Sequence, residues 1–196
     1  MNELRNLLII MHGFQASGKS TTAKLLGREL DAHIVATHQI RAEIATKETA
    51  YTKEMTKKIY DIALERAESI LRGNEVVIID AMFAKRDQRN LAYQIAEKYN
   101  TKIVIVDCIC PDIDLIKHRV EDRVNIDSPE AEGDKMEYYY RTKAVTEPIE
   151  GDETPSGDKP ATIVVDTSTF TVTSHQDHEP WVRHLSDIIA AAVKIV

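Results

Sequence analysis

Residues 13–20 read Gly-Phe-Gln-Ala-Ser-Gly-Lys-Ser, and this run limits the fold of the chain more than any other feature. The apolar run Leu-Leu-Ile-Ile-Met stands directly before it, and the helix-forming stretch Thr-Thr-Ala-Lys-Leu-Leu stands directly after it. Two glycines at this spacing let the backbone fold closely around a phosphate group, because glycine accepts dihedral angles that other residues resist. Strand, glycine-rich loop and helix in this order predict a phosphate-binding loop.

Each part of this loop has a predicted role in nucleotide binding. Its backbone amides point inward and the following helix offers its positive N-terminus, so the loop is suited to an anion. Lys19 would reach the β- and γ-phosphates, and the Ser20 hydroxyl would ligate Mg²⁺. The residues predicted to bind the nucleotide are Gly13, Phe14, Gln15, Ala16, Ser17, Gly18, Lys19, Ser20 and Thr21.

Length and composition restrict the classes of protein to which the chain can belong. Its 196 residues predict a single domain over residues 1–196, and a hydrophobic fraction of 43% is enough for a sizeable core. The formal net charge of −7 disfavours general binding to nucleic acid or to a membrane surface. No apolar run approaches the roughly 20 residues that span a bilayer, and the N-terminal sequence does not resemble a signal peptide. We therefore expect a soluble, cytoplasmic protein.

Apolar runs alternate with amphipathic stretches along the chain. Predicted strands cover residues 6–12, 33–37, 76–80, 102–109 and 161–166. Predicted helices cover about residues 19–30, 40–46, 52–71, 87–99, 112–123 and 181–196. This alternation predicts an α/β fold with a parallel sheet covered on both faces, and a binding crevice at the carboxyl ends of the strands.

Two segments interrupt the alternation. Residues 123–147 are polar and aromatic, and we expect them to form a small lid in which one or two of Tyr138, Tyr139 and Tyr140 pack inward. Residues 148–160 are rich in Gly, Pro and acidic side chains and predict a flexible acidic loop. Cys108 and Cys110 are expected to be buried thiols, because no second cysteine pair is present to complete a zinc site.

Three acidic or basic positions are candidates for the chemistry. Asp80 ends the third predicted strand and is a candidate ligand of Mg²⁺ or of its water shell; the alternative is a cap for the next helix. Arg119 and Arg123 lie four residues apart on a predicted helix, which places both guanidinium groups on one face. They would stabilise charge during phosphoryl transfer, or else pair with the acids between them.

Further charged residues follow the second and third strands. Three cations after the third strand either bind an anionic substrate or simply lie on the surface at the start of a helix: Lys85, Arg86 and Arg89. His38 and Arg41 stand where a kinase would place the groups that bind its acceptor. His38 could take a hydroxyl proton near neutral pH, although a lone histidine is more often structural.

With these residues, the chain resembles a family of small phosphate-loop kinases. The family includes the kinase domain of 5′-hydroxyl polynucleotide kinases and the zeta toxins, and the resemblance extends from about residue 7 to residue 166. It rests on the phosphate loop, on Asp80-Ala81-Met82-Phe83, and on Cys110-Pro111-Asp112 leading to Arg119 and Arg123. The resemblance implies a three-layer P-loop NTPase fold with a five-stranded parallel sheet, like that of nucleoside monophosphate kinases, and a small lid that carries the arginines.

The resemblance also implies a reaction. The chain would be an ATP- and Mg²⁺-dependent kinase that transfers the γ-phosphoryl group to a hydroxyl of a small metabolite or nucleotide. The implied catalytic residues are Lys19, His38, Asp80, Arg119 and Arg123. One departure concerns the general base, because the family has an aspartate at the position of His38, three residues before Arg41. His38 either serves a changed acceptor or marks lost transfer with residual ATP hydrolysis.

Two other functions remain open at this point. A polynucleotide 5′-kinase would use the basic cluster at residues 85–89 together with Lys53, Lys57 and Lys58 to follow a nucleic-acid strand. A regulatory module would bind ATP without transferring its phosphate.

Overall fold

The computed structural model describes residues 4–122, 135–174 and 179–194. The strands are β1 (Leu7–His12), β2 (His33–Ala36), β3 (Val76–Asp80), β4 (Lys102–Ile109), β5 (Thr162–Asp166) and β6 (Thr171–Ser174). The helices are α1 (Lys19–Glu29), α2 (Thr37–Ile44), α3 (Lys53–Leu71), α4 (Arg86–Lys98), α5 (Ile113–Glu121), α6 (Lys135–Val145) and α7 (Pro180–Val193).

The strands form one sheet in the order β2-β3-β1-β4-β5-β6. The first five strands in chain order are parallel, and β6 pairs antiparallel with β5 at one edge. The predicted five-stranded parallel sheet is confirmed. The sixth strand adds to it, because the Ser- and Thr-rich segment after β5 turns back and pairs with its neighbour.

Helices cover both faces of the sheet, as a three-layer fold requires. Side chains alternate between the two faces along each strand. In β1, Ile9 and Met11 pack in the core beneath α1 and α7, whereas Leu8 and Ile10 pack in the core beneath α3 and α4. All of β1 is buried, since a central strand of a parallel sheet meets a hydrophobic layer on each side. In the described ranges no helix is both long and apolar enough to cross a membrane.

The predicted lid is described in part. Residues 123–134 of the lid lie outside the described residues. Most of the remaining lid residues form α6, although no helix was predicted there. Its buried residue Tyr139 packs with Ile116 and Val120 of α5 and meets the ring of Phe14 edge-on, at 6.0 Å between centroids. The lid helix is therefore held against the phosphate loop by aromatic contacts.

The acidic segment over residues 148–160 contains no helix or strand but is anchored to α4. Glu153 is 3% exposed, and its carboxylate accepts hydrogen bonds from the guanidinium of Arg89 and from Tyr93 Oη. Whether the rest of this segment is flexible stays a prediction.

Both cysteines are free thiols, of which Cys108 is buried and Cys110 is half-buried. Burial raises the pKa of the Cys108 thiol to about 12, so it stays protonated.

Candidate nucleotide-binding site

The phosphate loop connects the end of β1 to the start of α1, as the sequence predicted. Gly13 and Gly18 have φ angles of 129° and 89°, values that side chains rarely tolerate. A Cβ atom at Gly13 would lie 2.2 Å from the carbonyl oxygen of Cys108, and one at Gly18 would lie 2.8 Å from the Thr167 side chain. Both positions require glycine for the backbone to fit against its neighbours.

The N-terminus of α1 leaves its first-turn amides without a side-chain cap. Gly18 offers no side chain, and the first turn contains no acidic residue. By contrast, α3 begins with Thr52, whose hydroxyl accepts from the Met55 amide. Uncapped amides and a positive helix end form a site for a phosphate group.

Two side chains of the loop differ in whether they find a hydrogen-bond partner within it. Lys19 Nζ donates to the carbonyl of Phe14 across the loop, at 2.5 Å. Ser17 is 1% exposed, and its hydroxyl has no hydrogen-bond partner within the described structure. A buried hydroxyl without a partner is rare in folded proteins and costs stability.

A cavity of about 340 Å³ opens beside the loop. Its lining includes Gly18, Lys19, Ser20, Thr21, Arg119, Thr167 and Phe170. Its lining combines polar groups of the loop with the ring of Phe170 and the aliphatic side chains of Leu25 and Val193. This combination suits a phosphate chain attached to a flat, mostly apolar base.

Arg119 lines this cavity in a fixed position. Its guanidinium donates to the hydroxyl and the carbonyl of Thr167, each at 2.9 Å, and to the carbonyl of Ala16 at 3.3 Å. The predicted partner Arg123 lies outside the described residues. Thr167 was not predicted as a site residue, although its place directly after β5, at the carboxyl end of a parallel strand, was a usable signal.

Asp80 lies at the end of β3 and is 5% exposed. The backbone after Asp80 is fixed by contacts of Phe83, which is fully buried. The Phe83 amide donates a hydrogen bond to Tyr60 Oη at 3.1 Å, and the Phe83 carbonyl accepts one from Arg89. The Asp-Ala-x-Phe pattern therefore fixes the direction in which the strand leaves the sheet.

His38 and Arg41 both lie on α2, which begins directly after β2. The prediction placed this helix from residue 40 onward, but it starts at Thr37, whose hydroxyl donates to the Asp80 carbonyl at 3.1 Å. The His38 side chain is 60% exposed, and its Nδ1 lies 3.9 Å from the Asp80 carboxylate. Arg41 donates to the carbonyl of Ala50 and lies over the ring of Tyr51, 4.8 Å from its centroid.

The basic cluster after β3 requires a correction. Arg89 is fully buried and donates to Glu153 and to three main-chain carbonyls, so it cannot bind an anionic acceptor. Lys85 pairs with Glu147 at 3.0 Å, and Arg86 pairs with Glu150 and Asp152. The three cations instead bind the segment that returns from the lid.

A second pair of polar residues was not predicted. His12 ends β1, and its Nδ1 lies 2.7 Å from the carboxylate of Asp107, its register partner on β4. Sequence reasoning had treated both as ordinary strand residues. The signal that was available is their position at the carboxyl ends of neighbouring parallel strands.

The fold and this loop define a P-loop NTPase. Residues 8–142 match the sequence model of the AAA domain family, and the chain belongs to that family. No curated protein matches the sequence. The resemblance to small phosphate-loop kinases agrees with this assignment and with the solved structures that share the fold.

Three of these solved structures align with nearly the whole chain. An unliganded sugar kinase from Janibacter sp. HTCC2649 is 18% identical, with 98% of this chain and 96% of that chain covered and a TM-score of 0.58. Kti12 from Chaetomium thermophilum, in complex with ADP-AlF3, is 17% identical, with 95% and 98% covered and a TM-score of 0.61. A gluconokinase from Sinorhizobium meliloti 1021 is 16% identical, with 97% and 93% covered and a TM-score of 0.52. At these identities the likeness establishes the fold.

Proposed function

We propose that the protein is an ATP- and Mg²⁺-dependent kinase that transfers the γ-phosphoryl group to a hydroxyl of a small molecule. One observation carries the proposal: the phosphate loop and the uncapped end of α1 line a cavity together with Lys19, Ser20 and Arg119. Cationic groups and amides around a phosphate chain are what phosphoryl transfer requires, because catalysis here consists of positioning and charge stabilisation.

The loop residues have separate roles in this proposal. The loop amides and Lys19 hold the phosphates, and Lys19 offsets the negative charge of the group being transferred. The Ser20 hydroxyl and the Asp80 carboxylate are hard oxygen donors, which suits Mg²⁺ because that ion takes one or two protein ligands besides phosphate and water. When bound, the ion would neutralise charge on the phosphate oxygens.

The arginines and the acceptor side complete the proposed site. Arg119 contacts the nucleotide from the cavity wall, and Arg123 would add a second guanidinium. His38 is the proposed proton acceptor, next to Asp80, and Arg41 is proposed to bind the substrate beside it. Lid closure would exclude water and so favour transfer over hydrolysis.

A small acceptor is favoured over a polynucleotide. The cations that would follow a nucleic-acid strand included Lys53, Lys57 and Lys58 as well as the cluster at residues 85–89. All three cations of that cluster, and Lys57, are already paired with carboxylates. A strand-binding groove needs several cations available to phosphates. The sugar kinase and the gluconokinase with the same fold are consistent with a small hydroxyl compound as acceptor.

The test is a panel of metabolites and nucleosides with labelled ATP, scored for phosphorylated product and not only for ADP. Replacing Lys19 with Ala should lower turnover by about 10²–10³-fold with the fold intact, because a charge is removed where charge develops. The matched control is Lys24→Ala, an exposed lysine on the same helix, which should keep wild-type turnover. Unchanged turnover in Lys19→Ala contradicts the assignment, and ATP binding without any product from the panel favours a regulatory module.

A further inference from the structure

A second cavity, of about 410 Å³, borders the phosphate loop at Phe14. Because Ala16 and Lys19 line the nucleotide cavity, residues of the same loop contribute to both cavities. The volume of this second cavity is that of a small-molecule site. A compound in this cavity would therefore border the loop that holds the phosphates of the nucleotide.

His12 and Asp107 line the floor of this cavity. The carboxylate of Asp107 can only accept a hydrogen bond, so in a neutral imidazole the proton is on Nδ1, which lies 2.7 Å away. Nε2 then carries the lone pair. Asp107 therefore determines which ring nitrogen of His12 can accept a hydrogen bond.

The acceptor nitrogen of His12 lacks a donor. The residue is 6% exposed, and Nε2 has no hydrogen-bond partner in the part of the chain that is described. Buried polar atoms are nearly always paired in folded proteins, so an unpaired one calls for an explanation. A hydroxyl group of a compound seated against this ring would provide the missing donor.

The remaining polar lining suits an uncharged compound. Asp107 and Glu147 contribute carboxylates, Lys159 contributes one ammonium, and Thr146 and Thr162 contribute hydroxyls. Because Glu147 already pairs with Lys85, the lining has no excess positive charge that would attract an anion. Carboxylate and imidazole acceptors bind hydroxyl donors well, and the apolar surfaces of Phe14 and Val164 can pack against carbon atoms.

We propose that this cavity is the acceptor site and binds an uncharged polyhydroxylated molecule, one hydroxyl of which donates to His12 Nε2. Asp107 is a positioning residue that orients the imidazole. The inference rests on the proposed kinase function, because it assigns the acceptor side of the same site. His12 holds one hydroxyl of the acceptor, and His38 keeps its proposed role as the proton acceptor.

The test measures binding of D-ribose, D-glucose and glycerol to the full chain by saturation-transfer NMR, with Mg²⁺ and a non-hydrolysable ATP analogue present. At least one of these polyols should bind. His12→Phe should weaken its affinity at least tenfold, because the ring remains and the acceptor atom is lost. His12→Gln, which keeps an acceptor, should restore most of that loss, and Asp107→Asn should weaken binding about threefold to tenfold. Affinity for the ATP analogue should stay within twofold in all three variants.

A cavity-filling pair gives a second measurement that does not depend on His12. Val164→Phe should abolish polyol binding by occupying the cavity, and the matched control Val145→Phe, on an exposed position of α6, should not. If no polyol binds while the ATP analogue does, the acceptor site is wrong and the kinase proposal stands. If a polyol binds equally to wild type, His12→Phe and Val164→Phe, the cavity is not its site. Failure to bind the ATP analogue refutes the kinase proposal itself, and this inference falls with it.

Discussion

The shape of the phosphate loop depends on the absence of a Cβ atom at Gly18 and on the hydroxyl of Thr167. The missing Cβ at Gly18 leaves room for Thr167, whose hydroxyl donates to the Ser17 carbonyl at 3.0 Å and accepts from Arg119. One threonine thus ties the loop, the end of β5 and the candidate nucleotide-binding arginine together. The closeness of these groups explains why small changes inside the loop should affect nucleotide binding.

Gly18→Ala should destabilise the protein by about 1–3 kcal/mol and weaken binding of an ATP analogue. The new Cβ would lie 2.8 Å from Thr167 and would force a side chain onto a φ of 89°, and the left-handed backbone region alone costs roughly 1–2 kcal/mol. Urea unfolding and nucleotide titration would measure both effects. Gly151→Ala is the matched control, since no atom lies within 4 Å of a Cβ there, and it should be near neutral. Equal effects in the two variants would show that Thr167 does not constrain the loop.

Features formed by adjacent residues could be predicted from the sequence, whereas features that depend on contacts between distant residues could not. The phosphate loop is defined by adjacent residues, and its position between β1 and α1 could be predicted. The burial of Arg89 could not, because its partner Glu153 is 64 residues away and nothing in the neighbouring sequence indicates the pair. His12 was missed for the same reason, since Asp107 approaches it only when β1 and β4 pair.

Among the secondary-structure elements, the lid and the segment after it, residues 146–160, were predicted least well from the hydrophobic periodicity of the sequence. The apolar residues of α6 do not form a stripe that faces the sheet, so no helix was expected there. Tyr139 packs against Phe14 and α5 instead. Glu147 and Glu153 then attach the segment that follows α6 to the first turns of α4: the Arg86 amide donates to Glu147 at 2.6 Å, and Arg89 binds Glu153.

Glu153→Gln should lower the free energy of unfolding by about 3–5 kcal/mol at pH 7, because the buried charge of Arg89 loses its partner. Burial is the largest single influence and would raise the pKa of the Glu153 carboxyl. The hydrogen bonds from Arg89, the Glu150 amide and Tyr93, together with the positive charge of Arg89, outweigh burial and hold that pKa below its usual value. A lowered pKa contributes stability above the unfolded-state value, and this contribution is lost as pH falls through the folded-state value. The difference between wild type and variant should therefore shrink below about pH 4.

The control for this variant is Glu150→Gln, which removes an exposed partner of Arg86 and should change stability by less than about 1 kcal/mol. Denaturant unfolding at pH 7 and at acidic pH measures both variants. A difference between wild type and Glu153→Gln that grew on acidification would contradict the assignment of a charged pair.

For the whole molecule, the sheet order determines which groups meet. β1 lies between β3 and β4, so the ends of three neighbouring strands bring Asp80, His12 and Asp107 to one edge. The alternation of strands and helices predicted this fold class and the edge at which the site lies. It did not predict that β6 would extend the sheet, because a four-residue strand with half its residues exposed carries little pattern.

Mg²⁺ and an ATP analogue should stabilise the whole protein against heat. A ligand at 100 times its Kd adds about 2.7 kcal/mol, which corresponds to a rise in Tm of about 5–10 °C for a chain of this size. Differential scanning calorimetry would measure the shift. Lys19→Ala should show a smaller rise under the same conditions, and a wild-type Tm that does not respond to nucleotide would argue against the phosphate-loop assignment.

The ion pair between Arg89 and Glu153 has an evolutionary consequence. It joins the first turn of α4 to the stretch just before β5, so the described residues that follow α6 are attached to the body of the fold at a fixed point. Changes in the length of α6 or of the residues after it can therefore accumulate without shifting the register of the strands.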